Sequence, residues 1–203
     1  MVEAWSADDV EAVRAALAAD RGRAGEPRRL PPSPRGVLAD GHADFRGFPL
    51  TEMTGVAIVD ADFSAARAPK NPFGVEQTIV LRNVVAGRSV FDRAGKFRQL
   101  DGRFSDCSFL RITTQSCSVA GQFTDCDFTG ANLSGAHLAA RFVRCRFEGC
   151  NLHLASWPSS FQDCAFAGAR IHELFADVRA AAFAAERVTF TVTTSRVLPG
   201  EFR

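Results

Sequence analysis

The sequence contains no tyrosine, although phenylalanine occurs 18 times among its 203 residues. A buried phenol hydroxyl needs a hydrogen-bond partner, so Phe without Tyr is expected where large rings pack away from polar neighbours. Net charge is also almost absent, because 24 Lys and Arg oppose 23 Asp and Glu to leave a formal charge of +1. Such a chain has no overall attraction for nucleic acid or for an anionic membrane. We therefore expect neither as a direct partner.

Targeting signals are missing as well. The N-terminal sequence MVEAWSADD has neither the basic region nor the apolar stretch of a secretory signal. No apolar run approaches the roughly 20 residues that a membrane-spanning helix needs. We expect a cytoplasmic protein, in which the six cysteines are free and buried rather than paired in disulfides.

The sequence lacks recognisable catalytic motifs. We find no nucleophile with an adjacent base, no glycine-rich phosphate loop and no metal-binding triad. The prediction is a protein that is not an enzyme and that has no cofactor and no metal site.

What the sequence does contain is a repeat. The pattern F-x-x-C-x-F occurs as FSDCSF, FTDCDF, FVRCRF and FQDCAF, and these copies begin at Phe104, Phe123, Phe142 and Phe161, each 19 residues after the one before. Self-similarity at a fixed short period is typical of a solenoid, whose repeats bury their apolar faces by stacking.

Large apolar residues continue through each repeat. Phe123, Phe128, Leu133, Leu138 and Phe142 follow one another at steps of five, five, five and four residues, which predicts four sides per turn. The same steps place an earlier coil through Val85, Val90, Gly95, Leu100 and Phe104, with Gly95 leaving one corner empty. Residues two positions earlier, such as Gly102 and Gly121, are mostly small and are expected to point inward. The cysteines occupy such positions, so we interpret them as core residues. The predicted core is Phe104, Cys107, Phe109, Phe123, Cys126, Phe128, Leu133, Leu138, Phe142, Cys145, Phe147, Leu152, Trp157, Phe161, Cys164, Phe166 and Ile171.

Five-residue units recur within this pattern, among them ADFRG at 43–47, ADFSA at 61–65, CDFTG at 126–130 and ANLSG at 131–135. These units resemble the pentapeptide-repeat family over roughly residues 43–176. The resemblance implies a right-handed, four-sided β-helix. The expected fold is therefore an all-β solenoid of about six coils with a 19-residue period.

The flanking segments have different compositions. Residues 1–20 predict a short helix, in which Ser6 and Asp9 form a capping-box-like start. Residues 21–42 are rich in Pro and Arg and predict a linker or a segment that lies along a surface. Within the solenoid of residues 43–176, surplus residues predict a loop that projects near residues 66–78.

The C-terminal residues 177–203 predict a cap or a dimerisation tail, which makes a homodimer one expectation. Residues 173–186 fit either a helix or a further degenerate coil. If residues 173–186 form a helix, this helix and a strand after it would together form the C-terminal cap.

Function must then lie on the outward side chains. Two outward columns carry charged residues: Asp106, Asp125, Arg144 and Asp163 form one, and Ser108, Asp127, Arg146 and Ala165 form the other. These columns are either a salt-bridged surface ladder or the footprint of a protein partner. His153 and His172 lie 19 residues apart and should be neighbours. The candidate interaction surface is Lys70, Asn71, Phe73, Arg141, Arg144, Arg146, His153 and His172.

Two functions remain open. The first is a protein-binding scaffold that presents the faces of the β-helix and the loop to a protein partner. The resemblance implies the second, because some pentapeptide-repeat proteins mimic DNA and protect bacterial DNA gyrase or topoisomerase IV from quinolones or peptide toxins, as antibiotic resistance or self-immunity. A DNA mimic needs carboxylates along one face, and here arginines interrupt the acidic columns.

Overall fold

The computed structural model describes residues 4–20, 22, 25–114, 116–155 and 160–171. The predictions for Trp157, for His172 and for the tail at 177–203 lie outside these residues, as does the choice between helix and coil at 173–186. For Ile171 only the backbone is described.

The predicted N-terminal helix is present as α1, Ala7–Ala19. Ser6 caps it: its hydroxyl accepts a hydrogen bond from the backbone N–H of Asp9 at 3.1 Å and donates one to the Asp9 carboxylate at 2.7 Å. Val13 is buried against the solenoid. Just before the helix, Trp5 stacks on Phe45 with ring centroids 6.0 Å apart, so this segment covers the first coil.

The remaining elements are β-strands that pair in parallel. In chain order they are β1 Arg28–Arg29, β2 Ala43–Asp44, β3 Glu52–Thr54, β4 Val56–Val59, β5 Ala61–Asp62, β6 Ile79–Gly87, β7 Phe97–Ser105, β8 Ser118–Thr124, β9 His137–Val143, β10 Asn151–Leu152, β11 Ser160–Gln162 and β12 Arg170–Ile171. The main sheet has the order β1-β4-β6-β7-β8-β9-β11, with β3 also paired to β6. Strands β2 and β5 pair separately, as do β10 and β12. This is a parallel β-solenoid of about 6 turns with a period of about 19 residues, which confirms the predicted fold class.

Two columns of stacked phenylalanine rings fill the core. In the first, Phe123 stacks on Phe142 with centroids 5.1 Å apart; in the second, Phe128 stacks on Phe147, also at 5.1 Å. The columns meet edge to face, as Phe123 and Phe128 do at 5.6 Å and 63°. Both arrangements suit the ring quadrupoles. Every predicted core residue whose side chain is described is buried.

The register differs from the sequence prediction in the coil before Phe104. The prediction placed Val85 and Val90 inward, but both are only partly buried. Instead Ala86 pairs with Phe104, and Phe91 stacks on Phe109 at 5.1 Å. The loop insertion before this coil is therefore one residue longer than predicted. The coil itself is one residue shorter than predicted. The reason is that the ring of Phe91 continues the aromatic column, which no valine can do.

The same coil was predicted to leave an empty corner at Gly95. The side chain of Arg67 fills that corner, and a Cβ on Gly95 would lie 2.7 Å from Arg67 Cδ. The Arg67 guanidinium donates hydrogen bonds to the carbonyls of Ala66, at 3.1 Å, and of Arg93.

Part of the Pro/Arg-rich segment 21–42 is hydrogen-bonded to the solenoid. Strand β1 pairs with β4, and the backbone N–H of Arg28 donates to the carbonyl of Gly55 at 2.8 Å. The Ser33 hydroxyl, which is buried, donates to the carbonyl of Asp44 at 2.5 Å. The described part of this stretch thus lies along the first coils.

Two glycines mark a corner where the backbones of successive coils come close. Gly121, predicted to be an inward small residue, is exposed and has φ +96°. A Cβ there would lie 2.0 Å from the carbonyl oxygen of Gly102. Here glycine is required by backbone approach rather than by core volume.

Within the described ranges, no helix combines the length and the apolar character that crossing a bilayer demands.

Candidate interaction surface

One corner of the solenoid carries a column of charged residues with left-handed backbone. Five of its six members donate their backbone N–H to a carbonyl of the next coil, as Asp125 does to Val143 at 2.9 Å. Their φ angles lie between 44° and 54°. Because the same turn recurs in each coil, their side chains stand above one another. The members of this corner column are Asp60, Arg88, Asp106, Asp125, Arg144 and Asp163.

Ion pairs join neighbours in the corner column. Arg144 contacts both carboxylate oxygens of Asp125, with Nε–Oδ1 2.7 Å and Nη2–Oδ2 2.6 Å. Arg88 contacts Asp60 in the same way, with both distances 2.7 Å. Hydrogen bonds from these guanidinium groups lower the pKa of each carboxyl from its ordinary value. The two arginines therefore interrupt the acidic column and pair with two of its four carboxylates.

Arg146, on the adjacent outward column, makes a second small network. Its guanidinium lies 3.3 Å from the Asp127 carboxylate and 2.7 Å from that of Glu148. Arg141 donates a hydrogen bond to the side-chain oxygen of Gln162 at 3.2 Å. These contacts match the salt-bridged ladder among the two alternatives, and such exposed pairs are weak.

Of the predicted histidine pair, the structure describes His153 alone. It lies at a corner, where its backbone N–H donates to the Asn151 side-chain oxygen at 3.2 Å and its carbonyl accepts from Gly135 at 2.8 Å.

The predicted loop forms an ordered hairpin, which we call the Pro69–Gln77 hairpin. Lys70 and Glu76 form an antiparallel bridge, and the N–H of Gln77 donates to the carbonyl of Pro69 at 3.1 Å. At its tip, the N–H of Gly74 donates to the carbonyl of Asn71 at 2.9 Å.

Sequence reasoning named Lys70, Asn71 and Phe73 in this hairpin but missed Val75 and the ion pair at its base. Val75 is exposed, next to the tip. Lys96 lies 3.4 Å from the Glu76 carboxylate and ties the hairpin to the coil. The available signal was the N-P-F-G stretch, since Asn, Pro and Gly at the first, second and fourth positions are typical of a type I turn.

The cysteines do not contribute to the outward surface. All six are free and buried. Burial raises the pKa of the Cys150 thiol to about 12. Among the residues that the structure describes, no group of three or more His, Cys, Asp or Glu side chains could hold a metal ion.

Fold and surface together define a class of protein: a parallel β-solenoid with a filled aromatic core and an interrupted charged ladder outside. The family model described as "Pentapeptide repeats (8 copies)" matches residues 122–156, which confirms the resemblance over that stretch. No curated protein sequence matches the chain.

Among solved structures, the chain is similar to trypsin-treated QnrB1, described as a plasmid-mediated fluoroquinolone resistance protein. The identity is 16%, the TM-score is 0.23, and the match covers 64% of this chain and 67% of the other.

Proposed function

We propose that the protein is a non-enzymatic scaffold that binds another protein through its outward columns and the Pro69–Gln77 hairpin. The observation that carries the proposal is the hairpin. It is a structured loop that projects from a solenoid whose coils otherwise repeat at a nearly constant length. Its base is fixed by the Lys96–Glu76 ion pair and by Arg67 in the corner above Gly95. Ordering a loop costs backbone entropy, and this loop buries none of the apolar side chains at its tip.

The solenoid suits such a role because it is rigid and regular. Each coil meets its neighbours through parallel backbone hydrogen bonds and stacked rings, so outward side chains are held at a spacing of about 4.8 Å. A partner then meets a preformed surface, and little ordering is required on binding.

The test is to purify the tagged protein from its source cells and to map any stable complex by hydrogen exchange. We expect protection at the outward columns and at the hairpin. An Arg144→Glu, Arg146→Glu double variant should weaken the complex more than Arg14→Glu, which changes an exposed arginine on α1, away from the outward columns and the hairpin. Recovery of no stoichiometric partner would contradict the proposal.

Protection of gyrase or topoisomerase IV is the second candidate. Among the residues that the structure describes, no arginine forms an ion pair with the corner-column carboxylates of Asp106 and Asp163, and the Asp125–Arg144 pair separates these two along the column. The negative charge along the column is therefore discontinuous, and a discontinuous acidic face is a poor mimic of the DNA phosphate backbone. Gyrase supercoiling, measured with and without this protein and with and without a quinolone, tests it: we expect no protection, and relief of the quinolone block would favour this candidate over a general scaffold.

Homodimerisation through residues 177–203 is a separate proposal. The mass of the purified protein from size-exclusion chromatography with light scattering, compared with that of a chain truncated after residue 176, tests it.

A further inference from the structure

Phe73 is the exception among the phenylalanines that the structure describes. Its side chain is 90% exposed, whereas the others are between 0% and 3% exposed. Val75, on the same tip, is 60% exposed. The fold thus places every other described ring in the core and holds this one in solvent.

The tip that carries Phe73 is ordered by one side chain. The Asn71 side-chain oxygen accepts hydrogen bonds from the backbone N–H groups of Phe73 and of Val75, both at 3.0 Å. The Asn71 N–H in turn donates to the carbonyl of Val75 at 2.8 Å. Pro72, which lies between, restricts the backbone further. The phenyl ring is therefore presented on a preformed turn.

The charge next to the ring is also available to a partner. Lys70 is exposed, and no carboxylate in the described part of the chain pairs with it. By contrast, the neighbouring Glu76 is already paired with Lys96. The tip consequently offers one aromatic ring, one smaller apolar side chain and one free positive charge.

We propose that Phe73 is the anchor of a docking turn, whose phenyl ring enters an apolar pocket of a folded partner protein with a carboxylate on the rim facing Lys70. This inference rests on the proposed scaffold function and specifies its contact. Aromatic anchors that fill a pocket dominate binding free energy at protein interfaces, and a rigid turn lowers the entropic cost of docking. A lipid surface fits less well, because one ring and one valine offer too little apolar area for stable anchoring.

The first step of the test places photo-cross-linkable benzoylphenylalanine at position 73 and, as a control on the coil face, at the exposed position of Gln122. Capture by position 73 in source cells identifies the partner, which is then purified for binding measurements. Capture alone does not support the proposal; cross-links that map to an apolar pocket of the partner do.

The second step compares dissociation constants for the purified partner. Phe73→Ala should weaken binding by about tenfold or more, and Lys70→Glu by several-fold with a smaller salt dependence. Val59→Ala, which truncates a half-exposed valine on the coil, should stay within about twofold. An unchanged melting temperature for Phe73→Ala shows that the fold is intact, since the ring contacts solvent.

The outcomes separate this inference from the scaffold proposal. A partner captured at position 122 whose affinity is unaffected by Phe73→Ala would overturn the docking turn and leave the scaffold standing. No capture at either position would overturn both. Flotation with vesicles of phosphatidylcholine and phosphatidylglycerol that is abolished by Phe73→Ala would assign the ring to a membrane surface instead and overturn the protein pocket.

Discussion

Arg144 and Asp125, which lie one coil apart on the same corner, are joined by two parallel hydrogen bonds of 2.7 and 2.6 Å. A guanidinium that contacts both oxygens of a carboxylate is the best geometry available to an exposed ion pair. The exposed fractions of the two side chains, 54% and 37%, nevertheless leave the pair largely in water.

Replacing Arg144 by Gln should therefore lower the free energy of unfolding only slightly, because water and salt screen such an exposed pair. Because Arg144 lowers the pKa of Asp125 below 3.8, the contribution of the pair is present above that pH and is lost as the pH falls through the lowered value. Urea unfolding across this range, in a double-mutant cycle with Asp125→Asn, measures it. A coupling that grows as the pH falls would contradict the assignment.

Gly121→Ala should destabilise the protein far more than Gly149→Ala. Both glycines have positive φ, +96° and +64°, so alanine is strained at either position. A Cβ at Gly149 would meet nothing within 4 Å, whereas at Gly121 it would lie 2.0 Å from a backbone oxygen. We expect about 1–2 kcal/mol for Gly149→Ala and at least about 2 kcal/mol more for Gly121→Ala.

Guanidinium denaturation of both variants checks this comparison. Equal losses for the two would show that the adjacent coils separate at little cost at this corner.

The thiols should be inert in the folded protein. All six cysteines are free and buried, so a reagent cannot reach them in the native protein. Burial also raises the pKa of the Cys150 thiol to about 12, so that thiol is protonated at neutral pH. An aromatic disulfide reagent should react with all six thiols in denaturant and with almost none without it. Fast reaction of the native protein at a rate independent of unfolding would contradict a sealed core.

His42 should make stability depend on pH near neutrality. Its ring nitrogens lie 3.1 Å from the Asp40 carboxylate and 2.9 Å from the Arg88 carbonyl, so the doubly protonated ring has an acceptor on each side. Burial lowers the pKa of His42, but the contacts with the Asp40 carboxylate and the Arg88 carbonyl, together with the charges of Asp40 and Asp62, outweigh burial and raise the pKa above 6.5. Because the folded pKa is raised, this stabilisation is fully present below pH 6.5 and is lost as the pH rises through the raised value.

The loss of stability in His42→Gln should accordingly be larger at about pH 5.5 than at about pH 8.5. Thermal unfolding of this variant, with His153→Gln as the control, measures the difference. A loss that is the same at both pH values would mean that the contact does not depend on protonation.

The repeated part of the fold was predictable because side-chain volume alone specifies it. Phe123 and Phe142 must stack if coils of 19 residues lie in register, and the small residues beside them leave room for the rings. The coil containing Phe91 was not predicted correctly, because an insertion and a one-residue deletion on either side of it shift the spacing that the pattern relied on.

Other features of the fold cannot be predicted from the pattern of side chains. Strand β1 joins the sheet through backbone hydrogen bonds, which Arg28 and Arg29 can make as well as any residue. At the surface, the sequence indicated the hairpin and its residues. Phe73 was assigned to the candidate surface because surplus residues predict a projecting loop there, whereas its hydrophobicity alone would have placed it in the core.

The stacking of Phe123 on Phe142 has a consequence for how such a chain can change its length. Since each coil presents nearly the same contacts above and below, a whole coil could be duplicated or removed while its neighbours reseal on one another. The distance between the Pro69–Gln77 hairpin and the far end of the molecule would then change in steps of about 4.8 Å. A gene for this fold can thus adjust the separation of two contact points without redesigning either one.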